Sequence, residues 1–164
     1  MKGILLAINH AYLFFGATLY CGVLWALHFF WYPTWRNLQV ANYYEQFIPQ
    51  TSSATKFFTV VVPLMFLTNL IMVVAEWKNG VRWAPIAALL LLAGATYVGQ
   101  AHIIPINKIL AGHVTDQDQL TSYLEKWISL NEIRWVLTTL MWLVMMIYFI
   151  VKGDLVRKLS GETR

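Results

Sequence analysis

Apolar and polar positions in this chain are sorted into long blocks rather than short alternations. From Gly3 to Trp35 no Asp, Glu, Lys or Arg interrupts 33 consecutive positions, and three further charge-free runs follow at 57–75, 83–107 and 135–151. A helix rises about 1.5 Å per residue and a bilayer's hydrocarbon core is about 30 Å thick, so each run predicts one crossing helix. The pattern predicts an all-α four-helix transmembrane bundle, a single domain over residues 1–164 with spans near 4–31, 57–76, 83–104 and 133–151. Lys2 gives the first run the positive start of a signal peptide. The run is too long for one, however, and carries His28, Trp31 and Trp35 where a cleavage region would lie, so it is read as a permanent span.

The connections are unequal. Asn79-Gly80 marks a short inner turn, whereas 33–56 and 108–134 are long and lie together on the other face. Both are amphipathic, through Leu38, Val40, Tyr43, Tyr44, Phe47 and Ile48 in one and Leu120, Tyr123, Leu124, Trp127 and Ile128 in the other. They are expected to lie along the outer membrane interface, aromatic side inward. They also resemble each other: the six residues from Tyr43 align with the six from Tyr123, and His28 before Pro33 answers His102 before Pro105. Spans one and three run in the same direction, so a duplication would be a parallel repeat about an axis along the membrane normal.

Composition narrows the classes. At 59% hydrophobic and 12% charged residues, the chain falls outside the soluble range, where charged residues alone make up about a quarter. The net charge of +4 flanks the spans and forms no basic stripe, which argues against nucleic acid and for the lipid bilayer as partner. The single cysteine, Cys21, excludes an intrachain disulfide and a C-x-x-C redox pair. Lys2, Lys78, Arg82, Lys152, Arg157, Lys158 and Arg164 stand against Arg36, Lys56, Lys108, Lys126 and Arg134 on the opposite face. That excess places the termini in the cytoplasm of a bacterial-type inner or plasma membrane.

Polar side chains inside a membrane are costly and therefore informative. His28 and His102 reach matching depth near the outer face from two different spans, and His113 can fold back from the loop toward them. Neutral imidazoles meeting there would suit copper, iron or zinc, or the axial positions of a haem. The alternative is that each ring bonds a backbone carbonyl or interfacial water. Trp127, Asn131 and Arg134 recur at i, i+4 and i+7 on one helix face, with Arg134 either snorkelling to headgroups or turned inward onto a polar ligand group. His10 and Asn69 share a depth and are expected to bond each other in a structural role.

Gly16, Gly22, Pro33, the Pro105-Ile106-Asn107 run, and Trp127 with Asn131-Glu132-Ile133-Arg134 together resemble the small four-span membrane proteins related to anthrone oxygenases. The resemblance covers most of the chain. It implies the four-span fold, and its named members insert oxygen into polycyclic anthrones; His28 and His102 lie outside its pattern.

These readings converge on an expected membrane oxidoreductase or anthrone-oxygenase-like monooxygenase acting on a lipophilic aromatic or quinone-like small molecule. His28, His102, Asn131 and Arg134 are its expected catalytic residues, and His28, His102 and His113 the expected metal ligands. Tyr43, Asn107, Tyr123 and Trp127 are expected to contact substrate. The alternative is a non-enzymatic assembly subunit, or a haem- or metal-binding interaction subunit. A transporter is disfavoured because no carboxylate lies within a charge-free run.

Overall fold

The computed structural model describes residues 2–153, of which 87% are helical. Helix α1 (Lys2–Ala26) passes through a π-helical segment, π1 (Leu27–Trp31), into the short α2 (Tyr32–Trp35). After a loop, α3 (Tyr43–Glu76) returns, and a tight turn leads to α4 (Trp83–Val98), a second π segment, π2 (Gly99–Ile103), and α5 (Ile104–Ala111). A second loop precedes α6 (Gln117–Lys152). Four stretches, Gly3–Trp35, Tyr43–Glu76, Trp83–Ala111 and Gln117–Lys152, are long and apolar enough to cross a membrane. Their outward faces carry exposed Leu67, Leu70, Val74, Leu90 and Leu143, as lipid contact requires. Arg157, Lys158 and Arg164, which entered the orientation argument, lie outside the described residues.

Helix α1 packs on α3 and α6, and α4 packs on the same two, so the ring order is α1, α3, α4, α6. A half turn about the bundle axis exchanges α1 with α4 and α3 with α6, which is the arrangement a parallel duplication requires. The halves also share local detail. Each π segment ends two residues before a proline, Pro33 or Pro105. Proline has no N–H to donate and its ring crowds the preceding turn, and here the chain answers with a wider turn. The N–H of Tyr32 donates to the Leu27 carbonyl and that of Ile104 to Gly99, each five residues back.

The amphipathic connections depart from expectation in one respect. Rather than lying flat as separate interfacial helices, their aromatic segments are the first turns of α3 and α6. Those helices, at 34 and 36 residues, are about 51 and 54 Å long and exceed the hydrocarbon thickness by about 20 Å. Nothing between Ile48 and Phe57 breaks α3: Pro49 sits within its second turn, and the Thr51, Thr55 and Thr59 hydroxyls donate to carbonyls four residues back. Asp116 caps α6 by accepting from the Gln119 N–H at 2.8 Å.

Two cores result. The membrane core joins Leu13, Ala17, Tyr20, Met65, Met72, Leu92, Met141 and Met145. An outer dome joins Tyr32, Trp35, Phe47, Ile106, Leu110, Leu124 and Trp127. The dome's loops are tied to each other: Gln117 accepts from the Val40 N–H at 2.9 Å and donates to the Leu38 carbonyl at 3.2 Å.

At the inner end, the structure replaces the expected His10–Asn69 bond. Asn69 faces α4, where its amide, oriented to satisfy both ends, donates to the Pro85 carbonyl and accepts from the Leu89 N–H. His10 faces α6, with Nε2 3.3 Å from the Tyr148 hydroxyl. Tyr148 donates to Glu76 at 2.8 Å, and Glu76 also accepts from Lys152 at 2.9 Å and Asn79 at 2.6 Å. Glu76 is 3% exposed and ties α3 to α6 and to the tight turn, while His10 of α1 joins through Tyr148.

Candidate functional site: a cavity under the aromatic dome

Where the membrane core meets the dome, side chains from all four sides of the bundle line a half-open cavity of about 280 Å³, close to the lower end of small-molecule sites. Helix α1 and π1 contribute Tyr20, Leu24, Leu27 and Trp31, spaced so that a widened helical turn keeps them on one face. Helix α3 contributes the stretch from Gln50 to Val62, bracketed by Pro49 and Pro63. Thr96, Gly99, Gln100, Ile103 and Asn107 come from α4, π2 and α5, and Trp127, Asn131 and Arg134 from α6.

The roof is an aromatic triad. Trp35, Phe47 and Trp127 meet pairwise, with ring centroids 4.8, 5.6 and 5.0 Å apart. On the α1–α3 side the floor is Tyr20 against Phe58 at 4.8 Å. Between roof and floor the facing residues are small or apolar, Val23, Ala26, Ala54 and Thr55.

Arg134 turns into this space rather than toward headgroups. Its Nη1 donates to Asn131 Oδ1 at 2.6 Å and its Nη2 to the Tyr20 hydroxyl at 2.6 Å. Asn131, fully buried, is itself held by a bond from Nδ2 to the Trp127 carbonyl at 2.9 Å, and Trp127 Nε1 donates to Asn107 Oδ1 at 2.8 Å. The chain Asn107–Trp127–Asn131–Arg134–Tyr20 thus runs across the cavity from α5 through α6 to α1. Gly99 faces the guanidinium: a Cβ there would meet Cζ and Nε at 3.7 Å, ordinary contact distance, so the glycine backbone lies close against that edge. Arg134 Nε is buried without a hydrogen-bond partner.

Of the residues expected from sequence to act together, the cavity collects Asn107, Trp127, Asn131 and Arg134. The three histidines have separate neighbours. His28 stacks on Trp135 at 4.6 Å and 7°, beside α6 rather than in the cavity. His102 is exposed with its ring edge on Tyr97, five residues earlier, because the π turn stacks residues at that spacing and gives the inward positions to Gly99 and Ile103. His113 lies in the outer loop at φ 59°, stacked on Tyr44 at 3.7 Å. Among the described residues, no group of three or more His, Cys, Asp or Glu is placed to hold a metal ion.

Tyr43 is occupied elsewhere. Its hydroxyl donates to the Leu110 carbonyl at 3.0 Å and accepts from the Val114 N–H at 2.6 Å, closing the end of α5. Tyr123 packs against the dome and does not line the cavity. Sequence reasoning missed Tyr20 and Gly99. The only available signal was the Tyr20–Leu24–Leu27–Trp31 stripe. No protein-family model, curated protein or solved structure matches this chain.

Proposed function

We propose that this integral membrane protein is an oxidoreductase of the oxygenase kind, and that a lipophilic aromatic or quinone-like molecule occupies the cavity under the dome. The observation that carries the reading is Arg134, held inward by Asn131 and Tyr20 with a donor left over among apolar and aromatic walls. Oxidation at carbon beside an aromatic ketone builds negative charge on the carbonyl oxygen. A preorganised guanidinium in a water-poor site stabilises that charge without reorganising. Asn131 and Tyr20 position Arg134, while Trp31, Phe58 and Trp127 supply faces for a flat ring system. When a ring CH2 becomes C=O, one atom of dioxygen stays in the product and the other leaves as water with the two hydrogens, so the balance requires no further reductant.

The test is oxygen uptake by protein in lipid nanodiscs on addition of a polycyclic anthrone. The wild type is expected to accelerate uptake, with Arg134→Gln at least tenfold slower; equal rates with wild type, variant and empty nanodiscs would refute the reading. Binding without uptake would favour a non-enzymatic ligand-binding subunit. The same reading puts the termini in the cytoplasm, so His113→Cys in a Cys21→Ser background is expected to react with an impermeant maleimide added outside intact cells. Labelling only after lysis would reverse the orientation.

A further inference from the structure

We infer that the ligand's polar group is an ionised oxygen, an aromatic carboxylate or enolate, rather than a neutral ketone or alcohol; this rests on the cavity being the ligand site. Arg134 is the one charged residue among those lining the cavity. The ion pairs among the described residues are Arg36–Glu132 and Lys152–Glu76, and neither includes it. Its hydrogen-bond partners, an amide oxygen and a phenol, are neutral. A guanidinium does not shed its proton, so it cannot neutralise itself as a buried lysine would. A fixed, partly buried positive charge whose hydrogen-bond partners are all neutral, inside a bundle in lipid, leaves an electrostatic vacancy that an anion fills.

The remaining polar groups of the lining sharpen this. Thr51, Thr55, Thr59 and Thr96 turn their hydroxyl hydrogens onto their own helices' carbonyls, so they offer a ligand no donor. Asn131 and the indole of Trp127 are committed within the chain of bonds that holds Arg134. Gln50, Gln100 and Asn107 also line the cavity, but their amides are neutral, so the guanidinium is the one group there that can pair with an ionised oxygen. The recognition is a single cationic point in an otherwise uncharged, largely apolar lining, which suits an apolar aromatic body ending in one charged oxygen group.

The experiment compares matched probes in nanodiscs, 9-anthracenecarboxylate against 9-anthracenemethanol, followed by fluorescence and corrected for partition into empty discs. A further arm follows 9-phenanthrol across its own ionisation, to separate an enolate-type oxygen from a carboxylate. The carboxylate is expected to bind at least tenfold tighter than the alcohol, and phenanthrol to tighten as it ionises if the site takes enolate-type oxygens. The carboxylate preference should vanish in Arg134→Gln and persist in Arg134→Lys and in Arg36→Gln, whose charge lies at the exposed edge. Equal binding of carboxylate and alcohol to the wild type, a comparison that needs no variant, would overturn this inference while leaving the cavity as the ligand site. Binding of neither would sink both.

Discussion

At the scale of single residues, the site depends on one arginine choosing the protein interior over the headgroups. That choice is made by two short bonds, to Asn131 on its own helix and Tyr20 across the bundle. The first was legible in the sequence, because i and i+3 share a helix face and the Trp127–Asn131–Arg134 spacing showed the stack. The second was not, since nothing in a linear pattern says which aromatic of span one meets span four. Removing the hydroxyl should therefore strand Nη2. Tyr20→Phe is expected to lower stability by about 1–3 kcal/mol, the cost of a buried donor left without its acceptor, as measured by denaturation in detergent micelles. A change within error would show that water takes the hydroxyl's place. The histidines teach the opposite lesson: their places along the spans were legible, but direction was not. Direction depends on π turns that only the prolines hinted at, and these leave His28 on Trp135 and His102 on Tyr97.

At the scale of elements, spans and their order followed from charge-free runs, whereas their lengths did not. The aromatic connections read as interfacial helices because their polar positions suit a membrane surface. Continuity with the spans was hidden, since Pro49 and Pro63 each suggest a break, yet α3 runs through both. The inner ends of the helices are joined by Glu76, a carboxylate serving three donors from α6 and the inner turn. Glu76→Gln keeps the shape but removes the charge facing Lys152. Hydrogen bonds to charged groups contribute about 1.5–3 kcal/mol, so this variant is expected to lose about 2 kcal/mol while binding in the distant cavity stays unchanged. Lys152→Met, which removes a half-exposed partner and leaves Tyr148 and Asn79 on the carboxylate, is expected to lose less; the reverse ranking would mean that the Lys152 charge is what holds the joint.

At the scale of the whole molecule, two similar halves, each a span, a π turn, a proline and a long helix, enclose one cavity where their outer ends meet. The cavity itself could not be read from sequence, because it exists only where four walls stand apart beneath the Trp35–Phe47–Trp127 roof. The central claim is that a lipophilic aromatic ligand sits there against Arg134. The most direct measurement is photolabelling in nanodiscs with 4-benzoylbenzoate, whose excited ketone inserts into nearby C–H bonds, followed by peptide mass spectrometry. Adducts are expected on peptides spanning Gln50–Val62, Thr96–Asn107 and Trp127–Arg134, and to be lost in Arg134→Gln. Adducts spread over lipid-facing positions such as Leu67, Leu70 and Val74, equal in wild type and variant, would contradict the account.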